Sequence, residues 1–206
     1  KWGERGQGFF RESQCGTTLG QLAITAALLR DLLHEEERAM LAAIATDYLQ
    51  RFGTLAPRSG VYYDTQTEEN GWTAMGLVAS LLLSSAATPT PQLWEHAAHW
   101  LFRATTLPED AHDTTMFTPE QTVQQWCDRT FTRLPDGTAE NHGFVHPTYL
   151  TSALVQSGEI GNMLHLFQQP IPAALLWRRQ DCYAVLKRWA DTTGMLHASQ
   201  GMDWPY

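Results

Sequence analysis

The sequence predicts an all-α protein built from antiparallel helical hairpins, and three observations carry that prediction. Apolar residues recur at the helical period in six long stretches, glycine- and proline-rich breaks separate these stretches, and no two segments alternate as a pair of long strands would. With 206 residues, 43% of them apolar, the chain can bury one substantial core.

Residues 1–16, rich in glycine and aromatic side chains, read as a loop. From Thr17 the spacing of Leu19, Leu22, Ala23, Ala26, Leu29 and Leu33 predicts a first helix, with Thr17 or Thr18 as N-cap. Glu35, Glu36 and Glu37 suit the positive end of a second helix, which runs through Met40, Leu41, Ile44, Tyr48 and Leu49 to Gly53. The stretch from Leu55 to Thr67, with Pro57 and Gly60, is a long loop or a short strand. A third helix from about Glu69 to Ser85 leaves little polar face, because Met75, Leu77, Val78, Leu81, Leu82 and Leu83 surround it; such a helix is buried nearly all round. Pro89-Thr90-Pro91 ends it, and Leu93 to Thr105 forms a fourth, more amphipathic helix.

A short helix follows from Pro119 to Arg129, then a long loop from Leu134 to His146 that turns at Pro135-Asp136-Gly137. The fifth long helix runs from Pro147 to Phe167, with an interruption expected at Gly158 or Gly161, and the sixth spans Ala173 to Thr192. The odd-numbered long helices are the more apolar, and a long polar-aromatic loop precedes each. In a ring of inner and outer helices this asymmetry puts the long loops on one rim. Three hairpins do not close a ring. Residues 1–206 are therefore expected to form a single unit, an incomplete α/α toroid from a larger catalytic domain whose remaining hairpins would be its partners.

Fourteen Lys and Arg against 22 Asp and Glu give a net charge of -8, which disfavours nucleic acid or an anionic membrane as partner. The longest apolar run, around Leu77 to Leu83, is too short to cross a bilayer. Cys15, Cys127 and Cys182 are odd in number and lack metal-like spacing, so they are expected as thiols.

Chemistry concentrates between Thr138 and Tyr149, where Glu140, Asn141, His142, His146 and Tyr149 supply a carboxylate, an amide, two imidazoles and a phenol. An echo lies upstream in Thr67-Glu68-Glu69-Asn70, followed by Gly71 and Trp72. Glu68 and Glu69 read either as general acid–base carboxylates or as acids opening a helix. His142-x-x-x-His146 has the spacing of a metal pair, but Gly143 and Pro147 break the helix it needs, so neither metal nor cofactor is expected. Trp72 and Trp204 sit in loops and can stack on sugar rings, whereas Trp94, Trp100, Trp177 and Trp189 are core candidates and His96 and His99 are packing residues.

Long loops before inner helices, the Asn141-His142 pair and a Tyr some 65 residues on, Tyr206, resemble the toroid domains of heparinase II/III-like and alginate-type polysaccharide lyases. The resemblance implies that Asn141 binds the uronate carboxylate, that His142 neutralises it or acts as base, and that Tyr206 is the acid/base. Elimination beside a carboxylate needs donors fixed around a developing enolate, which buried amides and imidazoliums provide. An imidazole is an easier base near neutral pH than a phenol, which favours His142 over Tyr206 in that role.

The expected activity is lyase-type elimination on a uronate-containing oligo- or polysaccharide, with Glu140, Asn141, His142 and Tyr206 catalytic. Glu69, Asn70, Trp72, His146, Tyr149, Asp203 and Trp204 would line the substrate. The alternatives are a glycoside hydrolase on the same fold, with carboxylates drawn from Glu69, Glu140 and Asp203, and a non-catalytic helical scaffold.

Overall fold

The computed structural model describes residues 13–61, 63–84 and 90–201, and they form a mostly helical structure. The elements are α1 (Cys15–Leu28), α2 (Glu35–Phe52), α3 (Thr67–Leu83), α4 (Pro91–Arg103), a 3-10 turn (Pro108–His112), α5 (Val123–Cys127), β1 (Glu140–Asn141), β2 (Phe144–Val145), α6 (Pro147–Leu166), α7 (Ala173–Leu176) and α8 (Arg179–Lys187).

Helix α3 is the centre. Its Ala74, Met75, Leu77, Val78, Ala79 and Leu81 are all buried, as its apolar circumference predicts, and α1, α2, α4 and α6 all pack on it. Directions follow from residue pairs. Gly16 lies against Trp72 and Gly20 against Met75, so α1 runs parallel to α3. Gly71 meets Gln156, and Val78 lines a cavity with Leu164, so α6 is parallel too. Tyr48 packs on Gly76 while Leu41 shares a cavity with Leu82 and Leu83, which makes α2 antiparallel; α4 is also antiparallel, with the carbonyls of Arg103 and Ala104 taking hydrogen bonds from Asn70 and Thr67. Three parallel helices therefore bring their N-termini, and the loops that enter α3 and α6, to one end of the described structure.

Several expectations need correction. In the first hairpin α1 and α2 run antiparallel but are not each other's main contact, because both rest on α3, whereas α4 packs chiefly on its hairpin partner α3. Helix α1 ends at Leu28, so Leu29 and Leu33 lie beyond it. The short helix spans only Val123–Cys127, and Thr122 caps it. Helix α6 continues through Gly158 and Gly161, since burial of Ile160, Met163 and Leu164 outweighs about 1 kcal/mol of propensity per glycine. The sixth long helix is two, α7 and α8, with Arg178 left-handed at φ 51 between them. That break lets the Arg178 guanidinium meet buried Asp110 at 2.6 Å and lets Trp177 stack on Phe102, centroids 4.8 Å apart. The loop before α6 contains a two-residue antiparallel ladder, where no paired strands were expected.

No disulfide joins the three cysteines, and no helix among the described residues is long and apolar enough to cross a membrane. Trp100 is buried, its Nε1 donating to His96 Nε2 (3.1 Å), and His99 stacks on Trp126 at 4.2 Å. Burial, then the nearby Arg103 charge, pushes the His99 imidazole down to about 4.

Candidate acid–base site

The loop entering α3 is lashed to the loop entering α6. Thr65 donates from both its N–H and its hydroxyl to the Glu140 carbonyl, each at 2.9 Å, and Gly143 N–H donates to the Tyr63 carbonyl at 3.0 Å. Asp64 accepts the Gln66 N–H at 2.8 Å, which fixes the last residues before the helix. Asn70, fully buried, clasps the same loop: its Oδ1 accepts the Arg58 N–H, and its Nδ2 donates to the carbonyls of Arg58 and Arg103.

Asn141 and Phe144 face each other across β1 and β2, so His142 and Gly143 are the two central residues of a tight hairpin turn. Both have positive φ, 53 and 82, the combination that a two-residue turn between right-twisted strands requires. The His-Gly sequence thus has a structural reason, glycine at the second position and a residue tolerant of the left-handed region at the first. The turn leaves the His142 side chain exposed and buries that of Asn141. Asn141 Oδ1 accepts the His142 N–H at 2.8 Å, and its Nδ2 donates to Glu68 Oε2 at 2.9 Å.

Glu68 and Glu69 stand on the first turn of α3. A helix N-terminus favours the carboxylate, yet burial dominates and pushes the Glu68 carboxyl up to about 7. The Asn141 hydrogen bond opposes that shift, the charges of Glu69 and Asp64 add to it, and His142 works against it. Glu69 is also raised, first by burial and then by Asp64, and its Oε2 is buried with no hydrogen-bond partner. The site therefore combines a carboxyl half-protonated near neutral pH, a second desolvated carboxyl and an imidazole whose charge both of them feel.

Tyr149 lies edge-on to His142 (centroids 6.3 Å) and to His146 (5.9 Å). His146 caps α6, with Nδ1 accepting the Thr148 N–H at 3.1 Å, so Nε2 carries the proton of the neutral ring; that Nε2 is buried without a partner. With the Gln156 amide oriented to satisfy its neighbours, its oxygen accepts from Trp72 Nε1 at 3.1 Å and its nitrogen donates to Ser152 O at 3.1 Å. Trp72 thus turns its polar edge toward α6.

Among the residues expected at the site, Glu69, Asn141, His142, His146 and Tyr149 gather at the N-terminal end of the parallel helices. Glu140 contributes its carbonyl to the lashing of the loops, and Asn70 has spent both amide hydrogens on main-chain oxygens. Asp203, Trp204 and Tyr206 lie outside the described residues. The echoing tetrapeptides are not equivalent: Thr67–Asn70 opens α3, whereas Asn141 sits on β1, ahead of α6. Asp64 was missed, and Glu68, read either as a general acid–base carboxylate or as an acid opening a helix but left out of the expected site, is the carboxyl with the clearest perturbation. Its signal was the acid pair beside an Asn, at the head of a helix with no polar face. Among the described residues no group of three or more His, Cys, Asp or Glu is arranged to hold a metal ion.

Comparison with protein-family models, with curated proteins and with solved structures finds no match.

Proposed function

We propose that this end of the molecule is the acid–base centre of a carbohydrate-active enzyme that cleaves glycosidic bonds, with Glu68 as proton donor. The observation that carries the reading is the Glu68 carboxyl, raised to about 7 and oriented by Asn141. A carboxylic acid still protonated near neutral pH can protonate a leaving glycosidic oxygen, and such a group typically contributes about 10²- to 10⁴-fold. Glu69, desolvated and with an unbonded oxygen, is the carboxylate to activate water or attack the sugar. The parallel helices and shared loop end fit an inner-helix rim, the arrangement an α/α-toroid segment would have.

Hydrolysis fits this charge distribution better than elimination. Asp64, Glu68 and Glu69 place three carboxyl groups together, and the Asn141 amide already serves Glu68, so a uronate carboxylate would meet negative charge there. The lyase reading keeps one favouring observation: His142 is exposed at a tight turn beside both glutamates, where it could serve as base.

The test is a panel of neutral and uronate-containing oligosaccharides assayed both for new reducing ends and for ultraviolet-absorbing unsaturated products. Reducing ends alone are expected, with turnover falling as pH rises through about 7 and lost by 100-fold or more in Glu68→Gln. Unsaturated products would establish the lyase instead. Full activity in Glu68→Gln, or no turnover of any glycan, sinks the proposal.

A further inference from the structure

Between the 3-10 turn and Phe131 lie two hollows, of about 430 and 440 Å³, that share Gln124 and Arg129 as walls. His112 and the half-buried Phe131 also line the first, and Gln125 and Asp128 the second. The shared walls make them one groove with Arg129 at its middle.

Arg129 is held there against its backbone preference. The Thr130 N–H donates to the Cys127 carbonyl at 2.8 Å, and the two residues between, Asp128 and Arg129, have positive φ, 47 and 56. A turn of this kind favours Asn, Asp or Gly at its centre, so an arginine at the second position costs energy that glycine would avoid. Among the described residues no hydrogen bond or ion pair takes up its guanidinium. Strain that a sequence could shed so easily is a mark of function.

The walls fit a neutral polyol. Arg129 and the amides of Gln124 and Gln125 supply donors, and Asp128, 3.6 Å from Arg103 Nη2, supplies acceptors. A sugar hydroxyl uses both at once, whereas an anion beside Arg129 would also meet the Asp128 carboxylate. Phe131 adds apolar ring surface for the C–H face of a pyranose. Each hollow lies within the range of small-ligand pockets, about 300–1,000 Å³.

The groove is also tied to the acid–base site. The Phe131 carbonyl accepts the Gly60 N–H at 2.7 Å, and the Phe131 N–H donates to Ser59 Oγ at 3.3 Å. One residue earlier, the Arg58 N–H donates to Asn70 Oδ1 at 2.9 Å, on the helical turn that carries Glu68. A single loop thus fixes the groove wall against the first turn of α3.

We propose that this groove is a distal subsite for neutral sugar units of the chain cut at Glu68, with Arg129 and Gln124 holding hydroxyl groups and Phe131 supporting the ring. The proposal rests on the glycan-cleaving reading of that end. It makes the substrate an oligosaccharide long enough to reach from Glu68 to Arg129, not a disaccharide.

The test is calorimetric titration of the intact protein with the hexasaccharides and disaccharides of β-1,4-glucan, β-1,4-xylan, β-1,4-mannan and α-1,4-glucan. At least one hexasaccharide should bind about tenfold or more tightly than its disaccharide. Arg129→Gly and Gln124→Ala should each cut that advantage to about threefold or less, with disaccharide binding unchanged. Because glycine relieves the left-handed turn, Arg129→Gly should do so at a Tm equal to or above that of wild type. Equal affinity for both lengths, no binding of any hexasaccharide, or an undiminished advantage in Arg129→Gly overturns the proposal; should that variant fail to fold, Gln124→Ala decides it. Full turnover in Glu68→Gln, with the Arg129→Gly effect intact, would remove the acid and leave the groove. Lost turnover in Glu68→Gln beside unchanged hexasaccharide binding in Arg129→Gly would do the reverse.

Discussion

Glu68 links proton chemistry to stability. Its folded pKa of about 7 lies above the 4.5 of an unperturbed side chain, so the folded protein holds that proton more tightly than the unfolded chain does. The resulting stability is complete below about 4.5 and is lost as pH rises through about 7. Between these limits the loss is on the order of 3 kcal/mol, from about 1.4 kcal/mol per pKa unit. Glu68→Gln keeps the Asn141 hydrogen bond and cannot ionise, so urea denaturation at pH 5 and pH 8 should show a smaller drop in the variant than in wild type. An equal drop would mean that Glu68 titrates normally. His142 behaves differently, because its side chain is exposed. His142→Ala should leave stability within about 1 kcal/mol while reducing turnover of a glycan substrate; loss of folding with specific activity retained would mark it as a turn residue alone.

Close helix contacts set the geometry of the elements. A Cβ added at Gly16 would stand 1.9 Å from the Trp72 carbonyl oxygen and 2.9 Å from the Tyr48 hydroxyl. Alanine is the better helix former by about 1 kcal/mol, but the clash is with main chain, so α1 and α3 would have to separate along a shared core. Gly16→Ala is therefore expected to destabilise by about 1–3 kcal/mol, read from the denaturation midpoint. Since α3 carries Glu68 and Glu69, the separation should also reach the acid–base site, and a stabilised Gly16→Ala variant would contradict the parallel packing described for these helices.

Long-range polar ties join segments that lie far apart in the chain. Arg30 at the end of α1 donates to the Leu166 carbonyl at the end of α6, 136 residues away, and Arg178 joins the loop ahead of α8 to the 3-10 turn through Asp110. Asp110 is 0% exposed, so removing its partner leaves a buried carboxylate uncompensated. Arg178→Met should cost about 3–5 kcal/mol, measured by urea unfolding. A loss under 1 kcal/mol would mean that the tie is ornamental and that Trp177 packing alone positions α7 and α8.

Periodicity and composition settled the helical class, the start of α2 at Glu35, the long loops and the burial of α3, because amphipathicity and capping are properties of a few adjacent residues. The same local signals misled at α6, where they overrated glycine, and at Arg178, where an unbroken apolar pattern hid a break made for a carboxylate 68 residues away. Asn141 and His142 were legible as chemistry but not as the flanking residue and the first central residue of a hairpin turn. The tertiary structure alone decided that Asn141 serves Glu68 across 73 residues, that Asn70 is a clasp and that Arg133 lies buried with its Nε unpartnered. Each of these depends on which groups lose water together. Desolvation is set by neighbours brought from distant parts of the chain, and no local pattern of residues encodes it.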